Sequence, residues 1–169
     1  MKRKFLYFTL LVTILTYVVL FLVDIKLQAG DMNFGIVSFE LAGNLNSSNE
    51  IVSYWAINNN LNLAAFSIGF DYLFILFYAG FLFLWTSILS DGFYNKTSKN
   101  FANFIMLIII VAGIFDMIEN YSLMQVLGGS RDVPWPLMAY YFALLKFILL
   151  SIAILYNVII NIIKRFISV

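Results

Sequence analysis

Asp71, Asp116, Glu119 and Lys146 are ionisable side chains placed inside otherwise apolar runs, and they are where chemistry could occur in this chain. The densest group is in AGIFDMIENYSL, residues 112–123, which puts Asp116, Glu119 and Asn120 within one turn and a half. With Gly113 they recur at steps of three and four, so a helix would present them on one face. Asp71 lies in FDYLFILFYAG and Lys146 in FALLKFILL. Carboxylates and a lysine of this kind can hold protons, anchor a polar head group, act as acid and base, or, for the lysine, form a Schiff base. Three carboxylates against one ammonium leave an excess of negative charge. A bound proton, Arg131, a metal ion or an amine ligand could offset it.

Other chemistry is excluded by composition. The chain has no Cys, so disulfide, thiol-nucleophile and thiolate-metal chemistry are impossible. It has no His, which removes the commonest metal ligand and the usual general base. No metal site, resident cofactor or catalytic residue is assigned. A net charge of +1 gives no electrostatic case for a nucleic-acid partner.

The elements that must position these groups are membrane helices. The chain is 63% hydrophobic and 11% charged, with a mean hydropathy of +0.93, against about 45–50% and about 25% in soluble domains. A span needs about 20 mostly apolar residues. Four segments qualify, at 5–24, 63–89, 101–127 and 137–163, and they predict an all-α four-transmembrane-helix bundle forming a single membrane domain. The first begins with Lys2-Arg3-Lys4 but is longer than a signal-peptide core, and no small-residue cleavage site follows it, so a retained helix is expected.

Loop charge sets the expected orientation. Lys2, Arg3, Lys4, Lys96, Lys99, Lys164 and Arg165 fall on one side, against Lys26 and Arg131 on the other, which predicts cytoplasmic termini. The long outer loop, 25–62, holds Ser47-x-x-Glu50, a capping-box pattern. The following EIVSYWAI predicts a short interfacial helix with Trp55 at headgroup level. GIVSFELAG is either a second short helix or an ordered loop. In the second outer loop Gly128-Gly129 ends one helix and Pro134 and Pro136 open the next.

Counted along the helices at about 1.5 Å per residue, Asp71, Asp116, Glu119 and Lys146 all lie roughly 12–17 Å below the outer helix ends. One charge facing lipid costs roughly 2.5–3.5 kcal/mol at a helix centre. Four groups at one level must therefore face one another or enclosed water. Ser67, Asp71 and Tyr78 align on the second span. Ala139, Ala143, Lys146, Ala153 and Asn157 align on the fourth, where the alanines allow close helix approach. Thr9, Thr13, Thr16 and Asp24 make a polar stripe on the first. The candidate ligand- or proton-binding residues are Asp71, Asp116, Glu119, Asn120, Lys146, Tyr78 and Tyr121.

The segments FDYLFILFYAGFLFLW, AGIFDMIENYSLMQVL and PWPLMAYYFALLKFILL, together with FELAGN, resemble those of small bacterial four-helix inner-membrane proteins. That resemblance implies a bacterial inner-membrane location and no particular activity. The architecture is similar, at the level of fold alone, to the sigma-2 receptor and sterol-isomerase superfamily, whose bundles open a carboxylate-lined pocket to lipophilic amines and sterols; the catalytic His of those isomerases has no counterpart here.

Three functions fit the residues. The first is a site open to the outer side that binds or transports a lipid or small amphiphile, with a proton coupled to it. The second is an intramembrane enzyme acting on lipid. The third is an accessory or scaffold subunit, self-assembling or bound to another membrane protein, whose charges only lock the helices. An ion channel would require an oligomer, for which no ring-forming signal is present.

Overall fold

The computed structural model describes residues 2–29 and 32–167. Apolar runs uninterrupted by proline form four long helices: α1 (Lys2–Leu27), α4 (Leu61–Ser90), α5 (Lys96–Leu127) and α6 (Pro134–Ile167). All four are long and apolar enough to cross a membrane. Between α1 and α4 lie two short helices, α2 (Ile36–Glu40) and α3 (Leu45–Ile57), and no strand occurs among the described residues.

Each long helix outruns its apolar segment because polar residues add turns at the ends. Asn95 caps α5 by accepting from the Thr97 N–H at 2.9 Å, so KTSKN is helical ahead of Phe101. Pro134 opens α6, where a missing N–H costs nothing.

α4, α5 and α6 pack together along their lengths, whereas α1 packs on α4. Only Thr16, Val23 and Leu27 of α1 are buried. Its threonine hydroxyls bond back to their own helix: Thr13 to the Thr9 carbonyl at 2.8 Å and Thr16 to that of Val12 at 2.8 Å. The polar stripe expected on α1 therefore spends itself locally, except for Asp24. That carboxylate accepts from Gln28 Nε2 at 2.5 Å and from the Ile36 N–H at 2.7 Å, tying the start of α2 to α1. Gly35 fits this junction because a Cβ there would come within 2.7 Å of Asp24 Oδ1. Gly43, at φ +68°, turns the chain from α2 into α3.

Two expectations for this region are corrected. Asn44, not Ser47, caps α3, accepting from the Ser47 N–H at 2.9 Å, while Glu50 stays exposed. Trp55 is not at a lipid interface. It is fully buried, with Nε1 donating to the Phe34 carbonyl at 2.9 Å and its ring edge-on to Phe39 at 5.2 Å. The reason is that residues 32–42 fold back across the apolar face of α3, so Ile51 and Trp55 are covered by protein. The GIVSFELAG segment does form a helix, but one of only five residues.

Two apolar layers result. Val23, Leu27, Phe39, Ile51, Trp55, Ile68, Leu123 and Val126 fill the end under α2 and α3. Ile75, Leu82, Ile105, Ile109 and Ala153 fill the half nearer the termini. The ionisable residues lie between them. Both termini share one end with the α4–α5 turn: Lys2 pairs with Asp91 at 2.9 Å, and the Lys164 ammonium donates to the Leu89 carbonyl.

Candidate ligand-binding site

Helical spacing delivers the predicted groups to one level from three helices. Asp116 is the hub. Its Oδ1 accepts from Lys146 Nζ at 2.7 Å and its Oδ2 from the Tyr78 hydroxyl at 2.7 Å, so both oxygens are used and α4, α5 and α6 meet there. Glu119, one turn further along the same face, is fully buried and places Oε2 at 2.8 Å from Nζ. Its Oε1 has no hydrogen-bond partner among the described residues. Asn120 donates through Nδ2 to Asp71 Oδ2 at 2.6 Å, bringing α4's carboxylate to the same cluster. Lys146 reaches this layer because Ala139, Ala143 and Ala153 on its face are all buried and let α6 come close.

Tyr121 stands apart from the other predicted residues. Its side chain is 52% exposed and its ring packs edge-on against Trp135 at 5.7 Å, away from the cavity described below. It sits one position past Asn120, which rotates it about 100° off the buried face. Arg131 is also exposed and makes no ion pair with the cluster.

One participant was not anticipated. Glu40, at the end of α2, is only 7% exposed and has Oε2 at 3.7 Å from Lys146 Nζ. That is an ion-pair distance but too long for a hydrogen bond, and the oxygen has no hydrogen-bond partner among the described residues. Burial pushes this carboxyl up to about 7; the lysine pulls it back, while Asp116 and Asp71 push it further up. The signal was present in FELAGN: Glu40 is the sole charge between Gly35 and Gly43 in an otherwise apolar run.

Beside this cluster lies a cavity of about 560 Å³, within the range of about 300–1,000 Å³ usual for ligand pockets. α1 contributes Thr13, Tyr17, Leu20 and Phe21; α6 contributes Phe147, Leu150 and Ile154; α4 runs between them with Asp71, Phe74, Tyr78, Phe81 and Trp85. Ile36, Val37 and Glu40 of α2 close its upper end. Asp24, Asp116, Asn120 and Lys146 are also on its wall, whereas Glu119 is not. Tyr17 and Phe21 on one rim and Phe147 and Ile154 on the other are each at least 41% exposed, so the cavity has an apolar mouth on the helix flanks.

Among the described residues no three acidic side chains are arranged to hold a metal ion. The resulting constellation can hold a charged or hydrogen-bonding head group against a carboxylate-rich end, with hydrocarbon on aromatic walls. No family model, curated protein or solved structure matches the chain, so the site's own chemistry carries the functional reading.

Proposed function

We propose that the protein binds, and by extension transports, a membrane lipid or small amphiphile in the cavity between α1, α4 and α6. The observation that carries this reading is the pairing of one polar end with a long apolar remainder in a single space. Asp24, Glu40, Ser67, Asp71, Asp116, Asn120 and Lys146 form the polar end, and the rest, apart from Thr13, is aromatic and aliphatic. A cluster that served only to lock helices would have no use for an adjoining void, since core cavities are destabilising.

In this reading the ligand enters through the apolar mouth from the bilayer and its head rises to the charged level. The basic residues at the end bearing the termini support a cytoplasmic position for that end. The polar site then lies toward the outer leaflet of a bacterial inner membrane. Titration of Glu40 near neutrality suits proton coupling, a role carboxylates fill in transporters.

The test is native mass spectrometry of the protein released from gently solubilised membranes. Wild type should carry a bound amphiphile. Leu150→Trp, which fills the cavity away from the charges, should lose it while remaining folded. Wild type that is ligand-free throughout would end this reading and favour a structural role for the ion cluster.

A further inference from the structure

The charge around the cavity is unbalanced in a way the sequence alone understated. With Glu40 added, four carboxylates share one buried ammonium. Lys146 is within ion-pair distance of Glu40, Asp116 and Glu119. Asp71 receives only the neutral amide of Asn120. Glu40, nine-tenths buried and on the cavity wall, has no nitrogen donor on Oε2 among the described residues, and its remaining close polar neighbour is the Glu119 carboxyl. By contrast, Asp24 is satisfied by Gln28 and the Ile36 N–H, and Asp116 by Lys146 and Tyr78. Of the carboxylates on the cavity wall, Asp71 has no cation beside it and Glu40 only a long ion pair with Lys146, so the open space borders the least neutralised part of the cluster.

The shape of that space adds a second constraint. Asp71 and Trp85 are fourteen residues apart on α4, so the cavity extends about 20 Å. With a volume of about 560 Å³, a space of that length takes an extended hydrocarbon tail. Below Asp71, Phe74 lies 5.2 Å from the Tyr78 ring and 6.2 Å from that of Tyr17, so the wall next to the carboxylates is aromatic.

We propose that the occupant is an amphiphile with a positively charged head seated between Asp71 and Glu40, its tail running past Phe74 and Leu150 toward Trp85. This deepens the amphiphile-binding reading and rests on it. The head supplies the positive charge the layer lacks, and protons compete with it for the same carboxylates. The charged or titratable groups facing the head are Asp24 from α1, Glu40 from α2, Asp71 and Tyr78 from α4, Asp116 from α5 and Lys146 from α6, with Glu119 behind the lysine.

The experiment uses the full chain in phosphatidylcholine nanodiscs and three bromine-tipped dodecyl probes: a trimethylammonium, a sulfate and an uncharged alcohol. Quenching of Trp85 reports tail entry, and Trp85→Phe identifies that signal. The ammonium probe should bind about tenfold or more tighter than the other two. Asp71→Asn and Glu40→Gln should each remove most of that preference, while Asp91→Asn, at the far end of the molecule, should leave it unchanged. Because the probe's charge is fixed, its affinity should fall as pH drops from about 8 to about 5, with the alcohol unaffected. Equal binding of all three probes, or tighter sulfate binding, overturns the cationic head but leaves the amphiphile cavity standing. Absence of Trp85 quenching by any probe overturns both. Measuring Glu40→Gln alongside Asp71→Asn keeps the test decisive if the change within the span fails to fold.

Discussion

Eleven residues, about three turns, separate Lys146 from Asn157 on the same face of α6. The two side chains are buried almost equally, at 6% and 0% exposure. Their surroundings differ. Asn157 Oδ1 accepts a 2.9 Å hydrogen bond from Thr86 of α4, and neither residue lines the cavity. Lys146 faces three carboxylates, two of its partners lie on the wall of a void, and a fourth carboxylate stands nearby. A neutral pair suffices to join α4 to α6. Interhelical polar contacts in membranes are worth only about 0.6–2 kcal/mol, so the heavier charge at the Lys146 level is not needed for joining helices. The proposed binding function draws on the charged level, whereas joining α4 to α6 accounts for the neutral one.

The largest effect should come from breaking the ionic level itself. Lys146→Met leaves Asp116, Glu119 and Glu40 buried without their cation, and should lower stability by about 3–5 kcal/mol. Adding Asp116→Asn and Glu119→Gln to the same chain should recover much of that loss, since Glu40 is then the one former partner still able to ionise. Thermal unfolding in detergent or nanodiscs reads both. If Lys146→Met cost no more than a change at Asn157, the contrast between the levels would collapse.

Glu40 sharpens the comparison through pH. Its carboxyl is raised from 4.5 to about 7 in the folded protein, so the native state holds the proton more tightly than the unfolded chain. Its contribution is fully present below about pH 4.5 and is lost as pH rises through about 7. The loss is on the order of 3 kcal/mol. Glu40→Gln cannot ionise, so the difference in stability between variant and wild type should grow across that window in favour of the variant. A pH-independent difference would mean that the carboxylate is not held in an unfavourable setting.

Tyr78 should have a smaller effect. Its hydroxyl donates to Asp116 Oδ2 at 2.7 Å, and Tyr78→Phe removes a hydrogen bond to a charged acceptor, worth about 2 kcal/mol. The loss should shrink when Asp116 is already asparagine, a coupling that a double-mutant cycle measures.

What the sequence revealed follows from where each constraint is stored. The four spans and the shared depth of Asp71, Asp116, Glu119 and Lys146 were legible because helical rise and period turn position directly into height and face. The alanine face of α6 was legible for the same reason. Glu40 was not, because α2 has five residues and too little length to show a period. Its place beside Lys146 depends on a chain reversal fixed by Asp24, Gly35 and Gly43. Trp55 was misplaced for a related reason: an amphipathic helix beside a membrane can turn its apolar face to lipid or to protein, and only the fold-back of residues 32–42 decides. The cavity was invisible because it arises from α1 packing on α4 while α6 stands across from it.

At the neutral level the two members should respond unequally, and that asymmetry is the finest test of the contrast. Thr86 Oγ1 lies 2.9 Å from the Leu82 carbonyl as well as 2.9 Å from Asn157 Oδ1, but a hydroxyl has one proton to donate. Asn157→Leu therefore leaves Thr86 with an acceptor in its own helix. It also removes the Asn157 Nδ2 group, which has no hydrogen-bond partner among the described residues. Its cost should stay below about 1 kcal/mol. Thr86→Val is different, because it strands Asn157 Oδ1 beside the already unpaired Nδ2, and it should cost about 1–2 kcal/mol. Neither change should alter quenching of Trp85 by the ammonium probe, since a pair that only joins helices has no part in recognition. Loss of binding in Asn157→Leu would extend the functional site three turns deeper than the charges do.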